Sequence, residues 1–200
     1  MTDETNAIDG EAQSVLDFWF LPAGDPGHGA ERAEWFRKDE AFDRAIAVRF
    51  GALIERGLSG ALDAWRATPR GALAEIVVLD QFTRNVFRGT PKAFAGDARA
   101  LAAARALVAA GGDRGLPAVA RQFAYLPFEH AEDRATQEEA MRLFGGLAAE
   151  HPEHADLLRW AAAHRDIVAR FGRFPHRNLV LGRVSTAEEL AFLQQPGSSF

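Results

Sequence analysis

Apolar residues recur at spacings of three and four along most of the chain, the pattern of helices that each bury one face. From Asp39 to Arg56, Phe42, Ile46, Phe50, Leu53 and Ile54 form one such stripe, which Gly57 is expected to close. Thr68-Pro69 and Thr90-Pro91 both read as helix starts, with the hydroxyl as N-cap and proline at the first helical position. They open a strongly apolar stretch over 72–87 and an alanine-rich one over 91–110 that stops at Gly111-Gly112. Thr186-Ala-Glu-Glu189 fits a capping box and begins a last short helix. Further helices are expected over 11–20, 29–37, 59–66, 115–126, 132–149 and 154–171. The β-prone patch Ile76–Leu79 lies inside a helical window, and no alternating stretch is long enough for a strand. The spacing and caps predict an all-α chain of about eight to ten helices in antiparallel pairs.

Two hundred residues, 48% of them hydrophobic and 26% charged, suit one globular domain with a real core. The expected layout is an acidic, disordered segment at 1–10, a helical domain over 11–195 and a flexible tail at 196–200. Residues 22–27 read as a turn between two early helices. The absence of cysteine excludes disulfides, thiolate zinc sites, iron–sulfur ligation and a cysteine nucleophile. With 23 basic against 28 acidic residues, the net charge of −5 argues against a nucleic-acid partner. The longest run without Asp, Glu, Lys or Arg is Leu190–Phe200, too short to span a bilayer. The first ten residues lack the basic-then-apolar order of a signal peptide, so a cytoplasmic location is expected. Trp19, Phe20, Trp35, Phe36, Trp65 and Trp160 fall on expected helices and read as packing residues.

Three helices carry polar groups where the pattern calls for carbon. On 72–87, Asp80 and Arg84 share the face of Leu73, Ile76 and Val77, with Gln81 and Asn85 beside them. A structural ion pair is the plain reading of Asp80 and Arg84; a binding role is the sharper one. On 132–149, Gln137 shares its face with Ala140, Met141 and Phe144. On 154–171, His164 sits among Leu157, Ala161, Val168 and Phe171. Buried polar groups need partners, so these helices are expected to converge on one polar pocket.

The connecting segments add to that pocket. Around Pro127 lie the Tyr125 hydroxyl, the His130 imidazole and the carboxylates of Glu129, Glu132 and Asp133. From His164 to Arg183, Arg165, Arg170, Arg173, Arg177 and Arg183 face Asp166 alone, a local charge of +4 that includes His176 and Asn178 as polar neighbours. The planar guanidinium fork suits carboxylate or phosphate, which points to a small anionic ligand. Phe82-Thr-Arg84-Asn85 followed by Arg88 is echoed by Phe174-Pro-His-Arg177-Asn178 followed by Arg183.

Three stretches carry a family resemblance: Leu79-Asp-Gln-Phe-Thr-Arg-Asn-Val-Phe-Arg-Gly89, Phe123-Ala-Tyr-Leu-Pro-Phe-Glu-His-Ala-Glu-Asp133 and Arg170-Phe-Gly-Arg-Phe-Pro-His-Arg-Asn-Leu-Val-Leu-Gly-Arg183. With Val15-Leu-Asp-Phe-Trp-Phe20 they resemble the domain of unknown function 924 family, from about Val15 to Leu193. Thr83 stands where the family pattern has proline, and Ala131 where it has serine, which removes a hydroxyl beside His130. The resemblance implies an all-helical fold similar to tetratricopeptide superhelices, here closed into a compact domain, and implies no activity.

The chemistry therefore rests on the residues. Glu129, His130, His164 and His176 lack the helical spacing of a metal motif, so no metal is expected. No Gly-x-Ser-x-Gly, Walker loop or dinucleotide fingerprint occurs, and no cofactor is expected. General acid–base work fits best among the reactions, with His130 or His164 as base and Glu129 or Asp80 as orienting group. Arg84, Arg173 and Arg177 are then the anion holders, and Gln81, Asn85, Tyr125, Gln137, His176, Asn178 and Arg183 complete the candidate lining. The other reading is a helical interaction scaffold, in which the same groups line a groove for a peptide or its terminal carboxylate without catalysis.

Overall fold

The computed structural model describes residues 8–199, and every regular element among them is helical. Of the expected disordered segment 1–10, residues 1–7 lie outside the described residues, as does Phe200 of the expected flexible tail. The α-helices are α1 (Gly10–Phe20), α2 (Glu40–Ser59), α3 (Pro69–Ile76), α4 (Thr83–Val86), α5 (Asp97–Ala109), α6 (Ala118–Glu129), α7 (Arg134–Glu150), α8 (Ala155–Phe171) and α9 (Ala187–Leu193). No helix among the described residues is long and apolar enough to cross a membrane.

Several boundaries differ from expectation for local reasons. Gly57 does not close α2, which runs to Ser59 and ends on Gly60 in the left-handed region at φ 91°. Gly57 instead admits close packing: a Cβ there would lie 3.2 Å from side-chain atoms of Leu62 and Leu79. The expected helices over 29–37 and 59–66 are short 3-10 turns, Ala33–Trp35 and Asp63–Ala67, the first squeezed between Gly29 at φ 76° and the cap of α2. The stretch 91–110 opens as a 3-10 turn, Pro91–Phe94, before α5 proper begins. Pro127 does not break its helix either; α6 continues through it to Glu129.

The chain divides into two compact units, the first built from residues up to Arg88 with Lys92–Pro127, the second from Gly89–Pro91 with residues from Phe128 onward. In the first unit, rings from α1 and α2 gather at the core. Trp19 lies 5.8 Å from Trp35, 5.7 Å from Phe82 and 5.4 Å from Phe123, and Phe18 packs on Phe42 and Phe50. Offset and edge-to-face ring pairs of this kind add about 0.5–1.5 kcal/mol each beyond simple burial. Thr68 caps α3 by accepting from the Gly71 N–H, with Pro69 at the first helical position. Between α3 and α4 the chain winds as a π-helix, Val77–Phe82, every residue of which is buried. A methyl group at Gly96 would run into the Leu79 carbonyl oxygen, so the π segment packs directly on glycine backbone.

In the second unit α7 packs along α8. Asp133 caps α7 through the Thr136 N–H, and Gly172, at φ 71°, ends α8. Ile167, Val168 and Phe174 form its small apolar core, flanked by Phe171 and Phe192. Thr186 and Glu189 close the expected capping box of α9. Of the six aromatic residues read as packing groups, Trp19, Phe20, Trp35 and Trp65 are buried. Phe36 and Trp160 are corrections, 65% and 51% exposed, because each sits at the edge of its apolar stripe.

Candidate functional site

The second unit brings five of the predicted residues around one ring. His164 lies on the buried face of α8 with Ala161, Ile167 and Val168. Its Nδ1 is 2.9 Å from Glu129 Oε1 and 3.0 Å from the Trp160 carbonyl oxygen. Both neighbours are acceptors, so the hydrogen belongs on Nδ1 and the neutral ring carries its lone pair on Nε2. Glu129 is the last residue of α6, and its carboxylate is as buried as the imidazole it meets. The His130 ring centroid is 6.2 Å from that of His164, and Phe174 stands edge-on to His164 at 5.5 Å.

Phe174 is the hub. His176 packs 5.7 Å from its ring, and the buried Arg177 guanidinium lies 4.5 Å above it. The ring is fixed through its backbone: the Phe174 N–H donates to Glu132 Oε1 at 2.7 Å, and Arg183 donates to the Phe174 carbonyl at 3.1 Å. Burial drives the His176 imidazolium down to about 4, helped by the charges of Arg177, His164 and His130 against Glu132. His176 is therefore neutral at pH 7. Burial also acts on Glu132, but the Arg183 fork and the Phe174 N–H outweigh it and hold the carboxyl below its ordinary range.

The other basic residues of this region are engaged by carboxylates. Arg173 donates to both oxygens of Glu189 at 2.7 and 2.8 Å, and Asn178 donates to Ser185 and Glu189. Held by Arg173 against the opposing effect of burial, and by the Thr186 N–H, the Glu189 carboxyl falls to about 2. Arg183 forks onto Glu132 and also donates to Asn178 Oδ1. Arg165 meets Asp166, and Arg170 meets Glu188. The +4 counted along the sequence is thus offset in space by Glu132, Glu188 and Glu189. Gln137, fully buried, donates to the carbonyls of Glu129 and Ala131 at 2.6 and 2.7 Å.

In the first unit, Asp80 is fully buried and 3.0 Å from Arg84, as the helical wheel predicts. Gln81 donates to the other Asp80 oxygen at 2.5 Å. Arg84 also forks onto Asp97 at 2.9 and 3.1 Å, and donates to the Asp80 carbonyl. Burial opposes the charge on Arg84, yet Asp80 and Asp97 raise its pKa further. Asn85 donates to Asp43, which Arg88 also holds. The Tyr125 hydroxyl donates to Asp113 at 2.6 Å and accepts from Arg121, and burial with Asp113 beside it pushes the phenol up to about 12. Asp43, Asp97, Asp113, Glu132 and Glu189 were not selected from sequence; only Glu189 carried a signal there, as a capping residue. Among the described residues no three His, Asp or Glu side chains are disposed to hold a metal ion.

Residues 15–197 match the family described as bacterial protein of unknown function, DUF924. The chain belongs to this family. A solved structure of a protein of unknown function from Agrobacterium tumefaciens, ATU0120, is similar to it with a TM-score of 0.80. The two are 39% identical, over 92% of this DUF924 chain and 97% of that one. No curated protein matches the chain.

Proposed function

We propose that Glu129, His130, His164, His176 and Arg177 bind a small anionic metabolite, a carboxylate or phosphate ester, and serve as an acid–base centre toward it. The observation that carries this reading is the 2.9 Å contact between two buried groups, Glu129 Oε1 and His164 Nδ1. A carboxylate on Nδ1 orients the ring and stabilises the imidazolium that forms when Nε2 takes a proton. Arg177 supplies a charge that does not titrate, and the neutral His176 adds a polar group without a second fixed charge. Arg173 and Arg183 brace the loop through Glu189 and Glu132, which leaves anion recognition to Arg177.

A thermal-shift series of carboxylates and phosphate esters, run on the wild type and on Arg177→Gln, tests the reading. At least one anion is expected to raise the wild-type Tm and to act much less on the variant. If no anion stabilises the wild type, or both proteins respond alike, the anion site is wrong and the peptide scaffold becomes the better description.

A further inference from the structure

Gln137 has a polarity that its surroundings dictate. Two backbone carbonyls, those of Glu129 and Ala131, lie 2.6 and 2.7 Å from one end of its carboxamide. Only the NH2 end has hydrogens for them, so the amide orientation is fixed by chemistry. Oε1 therefore projects from the opposite edge, buried, and among the described residues it has no hydrogen-bond donor. A buried acceptor left unserved costs about 1–3 kcal/mol, which makes it the place where a donor is most wanted. The two carbonyls flank His130, so the same side chain that holds the backbone of the proposed acid–base centre offers it an acceptor.

We infer that the anion taken by this site carries a hydroxyl group, whose O–H donates to Gln137 Oε1. This rests on the proposed anion site and narrows its ligand class from plain anions to hydroxylated ones. Three imidazoles and the Arg177 guanidinium surround Phe174 and His164 with Glu129 as their counter-charge. A neutral hydroxyl serves the amide oxygen without adding a further positive charge to that group, as an ammonium would. Gln137 thereby becomes a specificity residue. A site built to pair a hydroxyl discriminates against the analogue that lacks it, because the protein acceptor then stays unserved.

Matched pairs test this on the wild-type protein by titration calorimetry: lactate against propionate, and glycerol 3-phosphate against propyl phosphate, with alanine as the ammonium control. The hydroxylated member of at least one pair is expected to bind about tenfold more tightly, and the pair that shows it identifies the charged group as carboxylate or phosphate. Gln137→Met, which keeps length and loses the acceptor, is expected to erase the preference. Equal binding within both pairs overturns the inference while leaving the anion site intact, and so does a preference for alanine over lactate. Binding of none of them removes the anion site itself. Should Gln137→Met fail to fold, the wild-type pairs decide alone.

Discussion

Buried carboxylates are met by different bases in the two units. In the first, Asp80 faces Arg84, and both oxygens of the buried Glu75 accept from Arg66 at 2.7 Å. In the second, Glu129 faces His164. Burial raises the Glu75 pKa more than Arg66 lowers it, so such a pair carries a desolvation penalty that its own attraction does not fully repay. A guanidinium does not release its proton in a protein, which makes these pairs fixed braces. Imidazole is the side chain whose ordinary charge change falls between pH 5 and 8. The same carboxylate beside it becomes part of a device that moves a proton.

The largest expected effect breaks the comparison at its charged end. Asp80→Asn leaves Arg84 with Asp97 as its remaining paired carboxylate among the contacts described, and should cost about 3–5 kcal/mol in urea unfolding. Glu129→Gln should cost only about 1 kcal/mol, because a neutral His164 still donates from Nδ1 to an amide oxygen. Equal losses would mean the two pairs are alike.

A smaller effect sharpens the imidazole side. The folded His176 takes a proton only near pH 4, against an ordinary 6.5, so the unfolded chain binds that proton first. Its contribution is complete above about pH 6.5 and declines as the pH falls toward 4. His176→Gln should flatten that part of the stability curve, and an unchanged slope in unfolding between pH 7 and 5 would contradict the assignment. The smallest effect is a control: Leu179 is 91% exposed, and Leu179→Ser should shift stability by no more than about 0.5 kcal/mol.

The buried places of Asp80, Gln137 and His164 were legible because helical period alone determines which side of a helix a residue occupies. So were the caps at Thr68 and Thr186, where a hydroxyl, a proline or a glutamate leaves a local mark. Partner choice was not. Arg183 meets a carboxylate 51 residues earlier and Arg173 one 16 residues later, so a charge sum over a short window counted the cations and missed their anions. Glu189 looked like a capping residue and is one, yet the same carboxylate also takes Arg173. The hub, Phe174, offered no sign beyond being one aromatic residue among many in a basic loop.

The π segment at Val77–Phe82 has a consequence for how this gene is able to change. A π turn is an α-helix that has absorbed an extra residue, so the reading frame of faces along 69–86 depends on the number of residues as well as their kind. Loss of one codon there would let the helix relax to ordinary winding, but everything after it would rotate by about 100° relative to what precedes. Arg84 and Asn85 would then be carried off the bearings that reach Asp97 and Asp43. Substitution within the segment alters one contact at a time; a single deletion re-addresses all of them at once.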